Sequence, residues 1–199
     1  MAVFHVKHEG WTSDELSPAQ RAGLDLYERL LLSRAVPRGM VAASDAGQLR
    51  TRHILDSLRA VPHIPAEQRV ADLGSGAGLP GLPVAVARPD LVVTLAEPRQ
   101  ARAAFLELAV ERLQLPNVQV FPHPAEELTS VFDVCLARGF GDALSTWVVA
   151  RDLMDPLGEL IYWAGKTFGA DDEPPDVRVR LVGDATLESG GPIVIMTRQ

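Results

Sequence analysis

Short apolar runs alternate with helix-spaced stripes along most of this 199-residue chain. Ser17 followed by Pro18 reads as a helix cap and first helical residue. Leu24, Tyr27, Leu30 and Leu31 then mark one apolar face to about Ser33. A turn holding Pro37 and Gly39 follows. Asp45 and Gln48 have capping-box spacing, which predicts a second helix with Leu49, Ile54, Leu55, Leu58 and Val61 facing a core. Pro62 and Pro65 stop it. From Arg69 onward the periodicity predicts strands at 70–73, 91–96, 118–121, 132–137 and 159–163. The helices between them run to about Ala87, through Ala101, Ala104, Phe105 and Leu108 until Pro116, and over 144–154. Such alternation predicts an α/β fold with a doubly wound, mostly parallel sheet. Runs at 177–182 and 193–197 are expected to close one edge as an antiparallel hairpin. Residues 1–65 are expected to form a helical extension that caps residues 66–199 rather than a separate domain.

The stretch VADLGSGAGLPG, residues 70–81, breaks this regular pattern. An apolar strand reaches a carboxylate at Asp72, and glycines follow at 74, 76, 78 and 81. Pro80 or Pro83 then stands near a helix start, where a missing N–H costs nothing. Glycine lets the main chain approach a ligand closely, and the helix beyond offers unpaired N–H groups. A nucleotide-like cofactor suits such a turn. Two spacings are satisfied. Gly76, Gly78 and Gly81 match the dinucleotide fingerprint, with Glu97 about 20 residues on as a ribose ligand. Asp72, Gly74, Gly76 and Gly78 match D-x-G-x-G-x-G, the loop of S-adenosylmethionine (SAM) methyltransferases. Asp72 favours the second, since a carboxylate repels a pyrophosphate but attracts the ammonium of a methionine moiety. The tail also lacks the second βαβ half that a complete dinucleotide fold requires.

Composition narrows the setting. A hydrophobic fraction of 47% with 23% charged residues is that of a soluble globule. No apolar run approaches a membrane span, and the N-terminus lacks the apolar stretch of a secretory signal. The single cysteine, Cys135, lies in an apolar strand and fits a reducing compartment. A cytoplasmic, monomeric protein is expected. The net charge of −7 argues against general nucleic-acid binding, yet its distribution is uneven. Residues 34–69 carry six arginines against three acids, and the segment from 167 onward carries six acids against three arginines.

Ligands in doubly wound sheets sit at the carboxyl ends of the strands. That rule gathers Gly74, Ser75, Gly76, Gly78 and Leu79 after the first strand and Glu97 after the second. Ala125 and Glu126 follow the third strand, and Arg138 ends the fourth. Glu97 is suited to accept hydrogen bonds from ribose hydroxyls. Ala125 and Glu126 can flank a base, although Glu126 and Glu127 also suit a helix start. Arg138 leaves a buried strand and needs an anionic or carbonyl partner, in the protein or in a ligand.

These residues resemble the RsmG family, also called glucose-inhibited division protein B, whose members methylate N7 of a guanine in 16S ribosomal RNA. The resemblance rests on FHVKH (4–8), RHILDSL (52–58) and DLGSGAGLPGLPVAVARPD (72–90), and it spans nearly the whole chain. It implies a class I, Rossmann-like methyltransferase fold and SAM as cofactor, with no metal. The implied partner is 16S rRNA or the small ribosomal subunit. By similarity Gly74, Leu79, Ala125, Glu126 and Arg138 match SAM contacts, Glu97 takes the acidic position, and Lys166 matches a lysine after strand five. Arg138 and Lys166 are candidates for positioning; no catalytic acid or base is assigned. Arg50, Arg52, His53 and Lys166 are candidates for contact with RNA, while His53 also suits packing beneath the glycine turn. The chain departs from the family where SRAVPRGMVAAS (33–44) replaces a W-N…N-L-T segment, and Gly139 follows Arg138 where alanine is usual. A SAM-binding protein or a small-molecule methyltransferase without rRNA activity is the competing reading.

Overall fold

The computed structural model describes residues 7–8, 11–12, 15–182 and 191–199. The first residues of FHVKH and the link between the closing strands lie outside them. Strands β1 (Lys7–His8) and β2 (Trp11–Thr12) pair with each other, and helix α1 (Pro18–Leu30) follows. Short α2 (Leu55–Leu58) precedes β3 (Arg69–Leu73), α3 (Gly81–Ala87) and β4 (Val92–Ala96). Then come α4 (Gln100–Leu113), β5 (Val118–Phe121), β6 (Phe132–Arg138) and α5 (Ala143–Leu153). The chain closes with β7 (Met154–Trp163), β8 (Val177–Val182) and β9 (Ile193–Arg198).

The main sheet has the order β5-β4-β3-β6-β7-β9-β8. Its first five strands are parallel, and β9 lies antiparallel between β7 and β8. The α/β, doubly wound, mostly parallel sheet and its antiparallel closing edge are therefore as expected. Central strands are buried on both faces, so they read as unbroken apolar runs. Along β6, Val134 and Leu136 pack on one face while Cys135 and Ala137 pack on the other. Burial pushes the Cys135 thiol far above its ordinary value, which makes it an inert core side chain.

One core contains Leu24, Tyr27, Leu31, Leu49, Ile54 and Leu58 together with Val70, Leu106, Leu136 and Ile161. The N-terminal helices thus share a core with one face of the sheet. Ser17 and Gln20 form the predicted capping box of α1. The second predicted helix is corrected. Residues 43–48 form a 3-10 turn, Leu49–Ile54 a π-turn, and only Leu55–Leu58 an α-helix. Asp45 does not cap it, because its carboxylate is taken by Arg52 and His53 at 2.9 and 3.1 Å. The chain switches at the β3/β6 boundary, with β4 on one side of β3 and β6 on the other. A crevice opens outside the carboxyl ends of strands at such a point.

Candidate active site

The turn after β3 forms the floor of that crevice. Gly74, Gly76 and Gly78 all adopt positive φ, at 66°, 58° and 94°. The Ser75 N–H donates to the Ala96 carbonyl at 2.9 Å and its hydroxyl to the Asp72 carbonyl at 3.0 Å, so the turn is tied to β4 and to its own strand. At Gly76 the φ alone disfavours any side chain, and a Cβ there would meet nothing nearer than 3.9 Å. The space beside it is open. Gly81 serves a different end: a Cβ would lie 2.6 Å from the Asp72 carboxylate and 2.4 Å from Leu95, so only glycine lets α3 sit this close to the sheet.

A cleft of about 330 Å³ opens over the turn, lined by Gly74, Ser75, Gly76, Ala77 and Leu79. Met40, Val41, Ala42, Asp45 and His53 close it from the N-terminal segment, and Arg102, Arg138 and Gly139 complete the wall. Tyr27 braces the turn from beneath: its hydroxyl donates to the Ala77 carbonyl at 2.7 Å in full burial. Burial and the nearby Asp72 raise the phenol well above its ordinary value, so it stays a neutral donor.

Asp72 is not part of the cleft wall. Its carboxylate is buried under the turn, where Oδ2 accepts the Gly81 N–H at 3.0 Å and Oδ1 has no partner. Desolvation raises its pKa to about 7, against the opposing effect of the Gly81 hydrogen bond. Its expected proximity to a cofactor ammonium is thus a position one layer below the turn. Glu97 is buried at the end of β4. Its Oε2 accepts the Gly76 N–H at 3.0 Å and its Oε1 the Arg99 N–H at 2.8 Å, with Arg102 3.7 Å away. The acid therefore belongs to the turn itself.

Arg138 has partners of the kind its buried strand demanded. It donates to the Arg52 carbonyl at 3.0 Å, the His53 carbonyl at 3.4 Å and His53 Nδ1 at 2.9 Å, and lies 3.5 Å from Asp56. Burial depresses its pKa, and Asp56 offsets part of that. A guanidinium can only donate, so His53 Nδ1 accepts and Nε2–H donates to Asp45. Burial and Arg138 both lower the His53 pKa, which holds the ring neutral. The π-turn matters here. It turns consecutive carbonyls of residues 52 and 53 toward one guanidinium, and such turns recur at functional sites.

Other expected residues spread outward. Ala125 is buried in the second core, and Glu126 is exposed beside it in the 3-10 turn Ala125–Glu127; neither lines the cleft. Arg50 sits away from it, ion-paired to Asp25 and to Glu28 of α1. Arg52 is partly exposed at its rim, and Lys166 is exposed in the turn after β7. Sequence reasoning passed over Tyr27, Asp45, Arg102 and residues 40–42. Tyr27 had only the signal of a core position, and Arg102 only its place one turn beyond Glu97. Among the described residues no cluster of acids, histidines or cysteines could hold a metal, and no helix is long and apolar enough to cross a membrane.

Comparison with known proteins agrees with this architecture. A family profile described as GidB, rRNA small subunit methyltransferase G, matches residues 20–173. The ribosomal RNA small subunit methyltransferase G of a Nocardioides species is 40% identical over 191 residues, covering 94% of this chain and 74% of its own length. That of Burkholderia thailandensis is 36% identical over 187 residues, covering 87% and 80%. A solved mutant of MtNAS in complex with S-adenosylmethionine superimposes with a TM-score of 0.62 at 16% identity, over 92% of this chain and 78% of its own, a likeness of fold. The sheet order and closing hairpin are those of class I SAM methyltransferases, and the chain belongs to the GidB family, rRNA small subunit methyltransferase G.

Proposed function

We propose that this protein transfers a methyl group from S-adenosylmethionine to N7 of a guanine in 16S ribosomal RNA, in the cytoplasm. The observation that carries the reading is a bare glycine turn flooring a cleft at the sheet's switch point, walled by Arg138, in a member of this family. The residues fit the cofactor. A Cβ at Gly76 would project into open space where a ligand can lie, and a buried carboxylate oxygen of Asp72 lacks a partner beneath it.

S-adenosylmethionine supplies a methyl group made electrophilic by its sulfonium. Gly74, Ser75, Gly76, Gly78 and Leu79 would hold its methionine side against the main chain. Glu97, fixed by two backbone donors, keeps lone pairs for ribose hydroxyls. Asp72 would favour the ammonium from below. Guanine N7 bears a lone pair and no proton near neutral pH, so the reaction needs no general base. The chain's task is alignment and exclusion of water. Arg138, locked by two carbonyls, His53 and Asp56, fixes the wall against which the base is placed. It acts as a positioning residue, and Arg52 and Lys166 would meet RNA phosphates at the rim.

The test is methyl transfer from labelled SAM to naked 16S rRNA, to small subunits and to small metabolites, with the modified base identified chemically. Label in N7-methylguanine of the RNA is expected. Label in a small metabolite alone, or SAM binding without transfer to any RNA, would replace this reading with its competitor.

A further inference from the structure

Of the apolar stripe Ala101, Ala104, Phe105 and Leu108, only Phe105 packs into the core. It is buried there beside Leu106 and Ala109, whereas Ala101 and Ala104 are exposed and Leu108 is half-buried. The stripe floors an open groove of about 180 Å³ beside the cleft, with Arg34 and Arg38 as its other wall. Met40 lines both groove and cleft, so the two adjoin. Arg38 donates to the Arg34 carbonyl at 3.0 Å, one helical turn back, which sets both side chains on one edge. Neither guanidinium forms an ion pair with a described residue. Arg50, Arg52 and Arg138, by contrast, are all matched to carboxylates.

A narrow apolar floor edged by two cations unmatched among the described residues suits an unstacked base with its phosphate. Single-stranded RNA is held in this way, by stacking or apolar contact with a base and by charge on the backbone. A metabolite's reacting group would need only the cleft. A polymer seated in the cleft can extend past Met40 into the groove.

Resting on the function proposed above, we infer that this groove holds a nucleotide flanking the methylated guanine, its base on the Ala104–Phe105–Leu108 floor and its phosphate between Arg34 and Arg38. The groove thereby selects single-stranded RNA and sets the register of the target base.

The test compares R34A/R38A and A104E with the wild type, and with R29A as a variant lacking one nearby charge outside the groove. Ala104 is exposed on a helix, so glutamate is tolerated there. The dissociation constant for small-subunit RNA is measured over a salt series, alongside SAM affinity by calorimetry and KM and kcat for methylation. R34A/R38A should weaken RNA binding about tenfold or more and flatten the log–log salt slope by about 1.4, at roughly 0.7 per released counterion on a single strand. A104E should raise KM for RNA by a similar factor. SAM affinity should stay within about twofold in both, and R29A should match the wild type. Unchanged RNA affinity and slope in R34A/R38A, or an equal loss in R29A, would overturn the groove's role while leaving the methyltransferase reading intact. A wild type that binds SAM but methylates no RNA would overturn both.

Discussion

Replacing Asp72 with asparagine probes the layer beneath the glycine turn. The carboxylate is buried, one oxygen accepts from Gly81, the other has no partner, and its pKa is raised from 3.8 to about 7. A carboxylate whose pKa is higher in the folded state binds its proton more tightly there than in the unfolded chain. Its effect is nil below about pH 4, where both states are protonated. As pH rises from about 4 to 7 the unfolded chain ionises freely while the folded one resists, so stability falls by about 1.4 kcal/mol per pH unit. The loss totals about 4 kcal/mol and levels off above pH 7. Asparagine keeps an acceptor for the Gly81 N–H and never ionises. Urea unfolding of the ligand-free proteins from pH 5 to 9 should show Asp72→Asn progressively more stable than the wild type up to about pH 7, then by a constant margin. The cofactor ammonium favours the ionised form, so wild-type SAM affinity should rise with pH over the same range while that of Asp72→Asn stays low and flat. Parallel stability profiles for the two proteins would refute the argument, since they would show that the carboxylate is ionised and satisfied in the free protein.

Gly76→Val places a branched side chain at φ 58° pointing into the cleft. It should abolish SAM binding in calorimetry while lowering stability by only about 1–2 kcal/mol; retained affinity would mean the cofactor lies elsewhere. Tyr27→Phe removes the donor to the Ala77 carbonyl and leaves that carbonyl buried. A cost of about 1–3 kcal/mol in thermal unfolding is expected, with weaker SAM binding because the turn loses its brace. Arg138→Lys keeps a charge but not the fork that serves two carbonyls and His53 at once. It should lower kcat for RNA methylation by at least tenfold, and a kcat close to that of the wild type would show that the fork is not needed to place the base.

The sequence by itself determined the sheet and the turn. A doubly wound, mostly parallel sheet follows from apolar runs separated by helical stripes, because buried parallel strands need side chains of one kind on both faces. Glycine at 74, 76 and 78 announces positive φ, because the requirement is local to each residue. The Ser17 cap and the need of Arg138 for an anionic or carbonyl partner were legible for the same reason: a short stretch of chain states its own unmet hydrogen bonds. What the tertiary structure decided is where charge is spent. Asp45 has the spacing of a cap, but it faces Arg52 and His53, and the helix it was expected to open becomes a 3-10 and a π-turn. Arg50 looks like a free cation until α1 brings Asp25 and Glu28 to it. The stripe on α4 looks like core throughout, but only Phe105 joins Leu106 and Ala109 there, and Ala101 and Ala104 stay exposed. Pairing of charges and the choice between two neighbouring helix faces depend on residues tens of positions apart, and only the folded chain brings those together.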